Sequence, residues 1–167
     1  MPHKDYSGLE AQLYDTFRGG DEFDEIAFYV DAVCEKGGSC LDVGCGSGRV
    51  LLPLALEGVA VTGVDFSPAM VAACKKNITG QGAAAEVIEA DMVALKLDRK
   101  FDWVIVPGAS FQLLTDRDDA AKALARMRDH LQPGGKLALS LFTPWYEITH
   151  ESLDGVWRLE KDEPLGD

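Results

Sequence analysis

The chain has 167 residues, of which 47% are hydrophobic and 26% are charged, so it can bury a core and does not have the composition of a disordered protein. Its 28 acidic and 16 basic residues give a net charge of −12, which opposes a broad surface for nucleic-acid phosphates. The amino terminus lacks an apolar leader and no long apolar run follows, so we expect a cytoplasmic protein without a membrane partner.

The first predicted elements are a helix, a strand and a second helix. Apolar residues recur at helical spacing from Phe23 to Cys34, and Gly37 and Gly38 end this helix. Residues 40–43 form a short apolar run before a glycine-rich loop. A second helix follows from residue 49 to Gly58, and Pro53 within it should remove a hydrogen bond or cause a kink.

Strands and helices continue to alternate to the end of the chain. Apolar runs predict strands at 59–64, 86–90, 101–106 and 136–142, the last of them after the breaker P-G-G. Ser67 and Pro68 supply the cap and first-turn proline of one helix. Residues 116–131 predict another, with His130 at its exposed end and an inner stripe of Ala120, Leu124, Met127 and Leu131.

This order predicts an α/β fold, a doubly wound and mostly parallel sheet flanked by helices. We expect residues 1–167 to be one domain, truncated after the fifth strand, with 145–167 as the start of an incomplete carboxyl-terminal substrate region. Residues 155–160 could add one antiparallel strand. If the tail does not fold back, the unpaired edge of the fifth strand predicts a homodimer. The four cysteines form no C-x-x-C pair, so we expect reduced, buried thiols and no metal.

The stretch L-D-V-G-C-G-S-G-R, residues 41–49, places three glycines at alternate positions after the first strand. Gly44, Gly46 and Gly48 have no side chain that would hold a ligand away from the backbone. The loop amides and the following helix N-terminus could receive a carboxylate or phosphate. A glycine-rich turn that only joins strand to helix is the alternative.

Two aspartates follow at the ends of neighbouring strands. Asp65 ends the second strand 21 residues after Gly44, a distance typical of an acidic side chain that binds ribose hydroxyls. Asp91 ends the third strand and could accept a hydrogen bond from an exocyclic amine such as that of adenine. A nicotinamide dinucleotide is disfavoured, because Arg49 stands where the dinucleotide fingerprint requires a small residue.

Five segments in order carry a family resemblance: L-D-V-G-C-G-S-G-R, V-T-G-V-D-F-S-P-A-M, E-A-D-M, F-D-W-V-I-V-P and L-Q-P-G-G-K-L. They resemble the ordered motifs of class I S-adenosylmethionine-dependent methyltransferases, over about residues 14 to 144. The resemblance implies an S-adenosyl-L-methionine cofactor and an enzyme that transfers its methyl group.

The resemblance also implies a role for each matched residue. The glycine loop, from Asp42 through Cys45 to Gly48, would contact the methionine part, and Asp65 the ribose. Phe66 and Met70 would flank the adenine, although Met70 could equally be plain core. The remaining implied contacts are Asp91 with the adenine amine, the Met92 amide with a ring nitrogen, Pro107–Ala109 with the region of the methyl group, and Tyr14 as an aromatic lid that could instead only pack.

We expect a small-molecule methyl acceptor, because the loop after the fourth strand reads V-P-G-A-S-F-Q-L-L and lacks the N/D-P-P-Y/F tetrad of DNA amino-methyltransferases. Residues 111–113 could line an apolar acceptor pocket or simply begin the next helix. The residues identify no catalytic base, and in-line transfer does not require one. The alternative is a module that binds S-adenosylmethionine or S-adenosylhomocysteine without turnover.

Overall fold

The computed structural model describes residues 25–142, which form a five-stranded sheet with helices packed against it. The strands are β1 (Ser39–Val43), β2 (Ala60–Asp65), β3 (Glu86–Glu89), β4 (Phe101–Val106) and β5 (Leu131–Leu139). The helices are α1 (Glu25–Lys36), α2 (Leu51–Leu56), α3 (Pro68–Gly80) and α4 (Arg117–Asp129), with a 3₁₀ helix at Ser110–Leu113.

The strand order is β3-β2-β1-β4-β5 and every pairing is parallel, which confirms the predicted doubly wound α/β fold. The chain builds outward from β1 in one direction through β2 and β3, then crosses back to place β4 on its other side. This reversal leaves a crevice beyond the carboxyl ends of β1 and β4, which is where open parallel sheets bind ligands.

The core has two layers, one on each face of the sheet. Alternate β4 residues enter opposite layers: Trp103 and Ile105 lie in the layer that contains α1, α2 and α3, whereas Val104 and Val106 lie in the layer that contains α4. Both faces are therefore buried, and this explains why the strands are continuous apolar runs without polar alternation.

The helices bury only some of the residues that the periodicity predicted, among them Val33 and Met127. Helix α1 buries Tyr29 and Val33. Helix α4 buries Ala123 and Met127, a pair four residues apart, and leaves Leu124 38% exposed, so the predicted stripe is rotated toward Ala123. In an Ala-rich helix several stripes have similar hydrophobicity, and the sheet decides between them.

The cysteines are free thiols, as expected, but not all of them are buried. Cys40, Cys45 and Cys74 lie in the core, whereas Cys34 is exposed on α1. The prediction that Cys34 is buried is therefore wrong, because α1 turns its Tyr29 face toward the sheet instead.

Pro53 lies in the first turn of α2, which begins at Leu51. The Leu52 and Leu54 amides on either side of it donate to the Gly48 and Val50 carbonyls at 2.8 and 3.3 Å. Proline has no N–H to donate between them, so the predicted loss of one hydrogen bond is confirmed. The Pro53 carbonyl accepts from the Glu57 amide at 3.1 Å. The helix is shorter than predicted because residues 48–50 still belong to the glycine loop.

Strand β5 begins five residues before the predicted start, at Leu131. Leu131 pairs with Phe101, and the next pair is Lys136 with Trp103, so P-G-G forms an irregularity within the strand. His130, predicted at the surface, is 5% exposed. Its Nε2 accepts from the Leu97 amide at 2.8 Å, and its Nδ1 lies 2.6 Å from the Arg126 carbonyl.

Several predictions concern residues outside 25–142. These are the lid role of Tyr14, the strand at 155–160, the substrate region at 145–167 and the homodimer that depends on that tail. They stay predictions, as does the single-domain assignment.

Candidate functional site

The glycine loop lies at the carboxyl end of β1, and its three glycines have positive φ. The φ angles are 74° at Gly44, 55° at Gly46 and 99° at Gly48, values that residues with a side chain rarely adopt. A Cβ on Gly44 would lie 2.9 Å from the Ser110 Cβ, and one on Gly48 would lie 2.9 Å from the Cys74 Sγ. The loop is thus packed tightly between α3 and the segment that follows β4.

The amides of this loop are already used within the protein. Gly44 and Cys45 donate to the Val64 carbonyl at 2.8 and 3.0 Å, and Gly48 donates to the Cys45 carbonyl at 3.0 Å. Gly46 donates to Asp65 Oδ2 at 2.8 Å. These four amides therefore already have partners, and the prediction of an anion at the loop and at the following helix N-terminus stays a prediction. What the loop offers a ligand is close approach to bare backbone.

Asp65 ends β2 beside this loop and is partly exposed. Its Oδ2 accepts from the Gly46 amide, and its Oδ1 accepts from the Ser67 amide at 2.8 Å. A carboxylate has about four acceptor positions, so Asp65 can brace the loop and also accept from a hydroxyl donor. Ser67 caps α3 by accepting from the Met70 amide at 3.4 Å, as predicted.

Asp42 lies on β1 directly before the loop and is 1% exposed. Among residues 25–142 no donor reaches either of its oxygens, and the Leu51 amide is near enough only to lower its pKa slightly. Burial raises the pKa of Asp42 to about 7, the Asp65 carboxylate adds to the rise, and Arg49 opposes it. A buried carboxyl group in this state favours a donor supplied by a ligand.

The other predicted cofactor residues lie at the ends of β2, β3 and β4. Phe66 is 46% exposed beside Asp65, whereas Met70 is 1% exposed, which fits the alternative that it is a core residue. Asp91 and Met92 are partly exposed, and Asp91 Oδ1 accepts from the Val93 amide at 2.8 Å. Pro107 is buried and begins the turn after β4.

The segment after β4 forms the wall opposite the glycine loop. Gly108 and Ala109 have φ angles of 63° and 58°, and Ala109 is the one non-glycine residue with positive φ in the described part of the chain. The 3₁₀ helix then begins at Ser110, whose side chain faces Gly44. Residues 111–113 thus start a short helix. Phe111 packs on the core and Leu113 is 40% exposed.

A cluster of polar side chains at this end of the sheet was not predicted from the sequence. Glu25 on α1 accepts hydrogen bonds from Arg49 in the glycine loop, from Ser140 after β5 and from the Gly108 amide. These residues are far apart in the sequence and belong to no local motif. The only member of the cluster that the sequence singles out is Arg49, and it does so solely as a departure from the dinucleotide fingerprint.

The charges around the crevice are mostly negative. Asp42, Asp65 and Glu25 lie close enough to interact, and Arg49 is the cation that affects Asp42. This balance favours a ligand that carries positive charge. Within residues 25–142, no group of acidic, histidine and cysteine side chains is arranged to hold a metal ion, and none of the helices could cross a bilayer.

Comparison with known proteins places this geometry in a broader context. A family model described as "Methyltransferase domain" matches residues 40–135. The chain is 30% identical over 147 residues to dTDP-3-amino-3,4,6-trideoxy-alpha-D-glucopyranose N,N-dimethyltransferase from Streptomyces venezuelae, covering 84% of this chain and 59% of that protein.

Solved structures show the same fold. The sugar N-methyltransferase KedS8 from Streptoalloteichus sp ATCC 53650 matches with a TM-score of 0.71 and 33% identity, over 87% of this chain and 59% of that one. The glycopeptide N-methyltransferase MtfA, solved with (S)-adenosyl-L-methionine, matches with a TM-score of 0.61 and 28% identity, over 71% and 55%. The chain therefore spans little more than half the length of these relatives.

Proposed function

The chain belongs to the class I S-adenosylmethionine-dependent methyltransferase family, and from this membership we propose that it transfers a methyl group to a small-molecule acceptor. The observation that carries the proposal is the convergence of the bare glycine loop, Asp42 and Asp65 on one crevice at the end of β1. Amino sugars are the first acceptor class to test, because two of the similar proteins are named for that chemistry.

The cofactor supplies a methyl carbon activated by a positively charged sulfur, and it fits the donors and acceptors of the crevice. Asp65 would accept from the ribose hydroxyls, because a carboxylate can accept more hydrogen bonds than those from Gly46 and Ser67. Asp42, buried without a partner among the described residues, would accept from the ammonium group. Asp91 would accept from the adenine amine, Phe66 would pack on the adenine ring, and Met92 would lie beside them.

The protein's contribution to the reaction is alignment. Methyl transfer is an in-line displacement, so holding the nucleophile and the methyl carbon at a fixed distance accounts for much of the acceleration. Pro107–Ala109 form the wall that limits where the acceptor can stand. The acidic crevice favours the cationic cofactor over the product, whose sulfur is neutral, and this difference helps product leave.

Asp65 is the residue whose loss should weaken cofactor binding most directly. Asp65→Ala removes two charge-assisted hydrogen bonds to ribose, so the affinity for S-adenosylhomocysteine should fall by a factor of about 100 or more in titration calorimetry. Asp98→Ala, which removes an exposed aspartate elsewhere, is the control. A variant at Asp65 that binds with wild-type affinity would remove Asp65 from the ribose.

Turnover distinguishes this function from the alternative of a binding module without catalysis. The test incubates the chain with S-adenosylmethionine and a panel of amino sugars, phenols and thiols, and measures methylated product by mass spectrometry. Product with any of them supports the enzyme, and product with amino sugars supports the acceptor class. Cofactor binding without product from the whole panel supports the binding module.

A further inference from the structure

The carboxylate of Glu25 joins four segments of the chain that meet beyond the carboxyl ends of β1, β4 and β5. Its Oε2 accepts from Arg49 Nη2, in the glycine loop. Its Oε1 accepts from the Gly108 amide at 2.8 Å and from the Ser140 hydroxyl. The Tyr29 hydroxyl lies 2.8 Å from Ser140 Oγ and donates to it, since the single Ser140 proton is already used.

This cluster is shielded from solvent and ionised. The Glu25 and Arg49 side chains are only 18% and 20% exposed. Burial alone would raise the pKa of Glu25, but the bonds from Ser140, Gly108 and Arg49 outweigh it and hold that pKa below its usual value. The ion pair is thus more than a solvated surface pair, whose contribution is usually small.

The segment that Glu25 holds is in a conformation that needs support. Gly108 and Ala109 are consecutive residues in the left-handed region, and a non-glycine residue there persists only where its surroundings enforce it. The hydrogen bond from the Gly108 amide to the Glu25 carboxylate is one such constraint. The Ser110 contact with Gly44 is another, so the turn is held between α1 and the glycine loop.

We propose that Glu25 is a positioning residue for methyl transfer, which fixes the turn Pro107–Ser110 at a set distance from the glycine loop and so sets where the acceptor stands. This proposal rests on the proposed function, because only a methyltransferase would place an acceptor beside the turn Pro107–Ser110. Glu25 touches none of the reacting groups. It acts through the Gly108 backbone, through Arg49 and through Ser140.

The substitution Glu25→Gln tests this arrangement, because an amide cannot accept from all three donors. If the amide oxygen faces Gly108 and Ser140, the amide nitrogen meets the donor nitrogen of Arg49. If the amide is flipped, Arg49 keeps its acceptor and the Gly108 amide loses its own. In the first case the Gly108 amide keeps only an uncharged acceptor, and in the second it has none. The turn therefore loses part of its support in both cases, while the size of the side chain is unchanged.

Hydrogen exchange of the Gly108 amide is the readout that needs neither cofactor nor acceptor. In Glu25→Gln this amide should exchange about tenfold faster or more, as expected when a charge-assisted bond is weakened. Glu35→Gln is the matched control, because Glu35 is an exposed glutamate of the same helix. Glu25→Asp is the second variant, which keeps the charge and suits a helix start but is too short to reach all three donors.

Steady-state kinetics and binding then separate positioning from a merely structural role. For Glu25→Gln we expect kcat/KM for the acceptor to fall by between about tenfold and a hundredfold, as for a small misplacement of reacting groups. The Kd for S-adenosylhomocysteine should change little, because Asp42, Asp65 and the glycine loop remain.

Three results would count against the proposal or its premise, and they are distinguishable. Exchange at Gly108 that is the same in both Glu25 variants and in Glu35→Gln would overturn the inference. Equal losses of S-adenosylhomocysteine affinity and of acceptor kcat/KM would also overturn it, because Glu25 would then support the whole domain. Wild-type protein that methylates none of the acceptors would refute the proposed function, while the exchange data would still decide whether Glu25 holds the turn.

Discussion

At the scale of single residues, Asp42 lowers the stability of the folded protein. A carboxyl group with 1% exposure and no partner among residues 25–142 destabilises the folded state whenever it is ionised. Nearby Asp65 and Glu25 increase this cost and Arg49 reduces it. A neutral residue at this position would make the fold more stable. The placement of Asp42 is therefore consistent with a role toward a cationic ligand.

The raised pKa of Asp42 predicts a pH dependence of stability. The folded protein keeps the Asp42 proton up to a pKa of about 7, whereas the unfolded chain loses it near the ordinary aspartate pKa of 3.8. Stability therefore falls as pH rises through this window, by roughly 4 kcal/mol in full. Asp42→Asn should remove this part of the pH dependence and be more stable than the wild type at about pH 8.

Urea unfolding of the free protein between about pH 5 and pH 8 measures this difference. Asp98→Asn, at an exposed aspartate, is the control and should follow the wild type at each pH. The prediction fails if the gap between Asp42→Asn and the wild type does not widen as the pH rises.

Asp65 has two roles that a sequence motif does not separate. We propose that it binds ribose, and it also braces the glycine loop through the Gly46 and Ser67 amides. Its removal should therefore loosen the loop as well as remove ligand contacts. Both effects are lost together, because one carboxylate makes the ligand contact and the bonds that brace the loop.

At the scale of elements, β2 makes room for the glycine loop and α2. Gly63 lies in the middle of β2, paired with Asp42 of β1 and Val87 of β3. A Cβ there would lie 2.4 Å from Leu51 Cδ1 and 2.8 Å from the Cys45 Sγ. A glycine within a strand often marks such a close approach, and here it brings the start of α2 onto the sheet.

Gly63→Ala should destabilise the protein by about 1 to 3 kcal/mol, because Leu51 and Cys45 have no space to move away in the packed core. It should also weaken S-adenosylhomocysteine binding, because Cys45 belongs to the glycine loop. Thermal unfolding and calorimetry measure the two effects. Gly80→Ala, at the end of α3 with nothing within 4 Å of the new Cβ, is the control and should be nearly neutral. Equal behaviour of the two variants would contradict this interpretation.

The wall opposite the glycine loop is joined to the segment just after β5 at two points. Glu25 binds Ser140, and the Gln112 side chain donates to the Phe142 carbonyl at 2.9 Å and accepts from the Phe142 amide. This wall, which we propose faces the acceptor, is therefore built by three segments that are far apart in sequence. Its shape depends on how β5 pairs with β4.

At the scale of the whole molecule, β5 is the outer strand of the described sheet. Leu137 is 37% exposed on this strand, and Leu141 and Phe142 just beyond it are 60% and 61% exposed. An outer strand with unpaired backbone groups and apolar side chains is a template for pairing with another chain. The relatives are longer than this chain, which covers 59% of each, so a segment like the rest of a relative is the other candidate to cover the edge.

The 167-residue chain should therefore self-associate through β5, and Leu137→Lys should shift it toward a monomer, because a lysine on an edge strand opposes pairing. Sedimentation equilibrium measures the mass. Leu124→Lys adds the same charge at an exposed leucine of α4 and should leave the mass unchanged. A wild-type chain that sediments as a monomer at all concentrations would contradict the prediction.

What the sequence determined by itself was the order of the elements, the class of the sheet and the position of the glycine loop and Asp65. These depend on local signals: apolar runs for buried strands, Ser67 and Pro68 at a helix start, and glycines where φ is positive. Apolar runs, caps and glycines act within a few residues, so they can be recognised without knowing the partners.

Tertiary structure alone decided which groups share the crevice and how much the burial of each group lowers the stability of the fold. Glu25 meets Arg49, Gly108 and Ser140 across 24, 83 and 115 residues of chain, and no local pattern encodes such a meeting. The burial of His130 and Asp42 and the use of the loop amides by Val64 and Asp65 follow from the same cause. Hydrogen bonding and desolvation depend on distances in space, which become fixed only when the sheet is assembled.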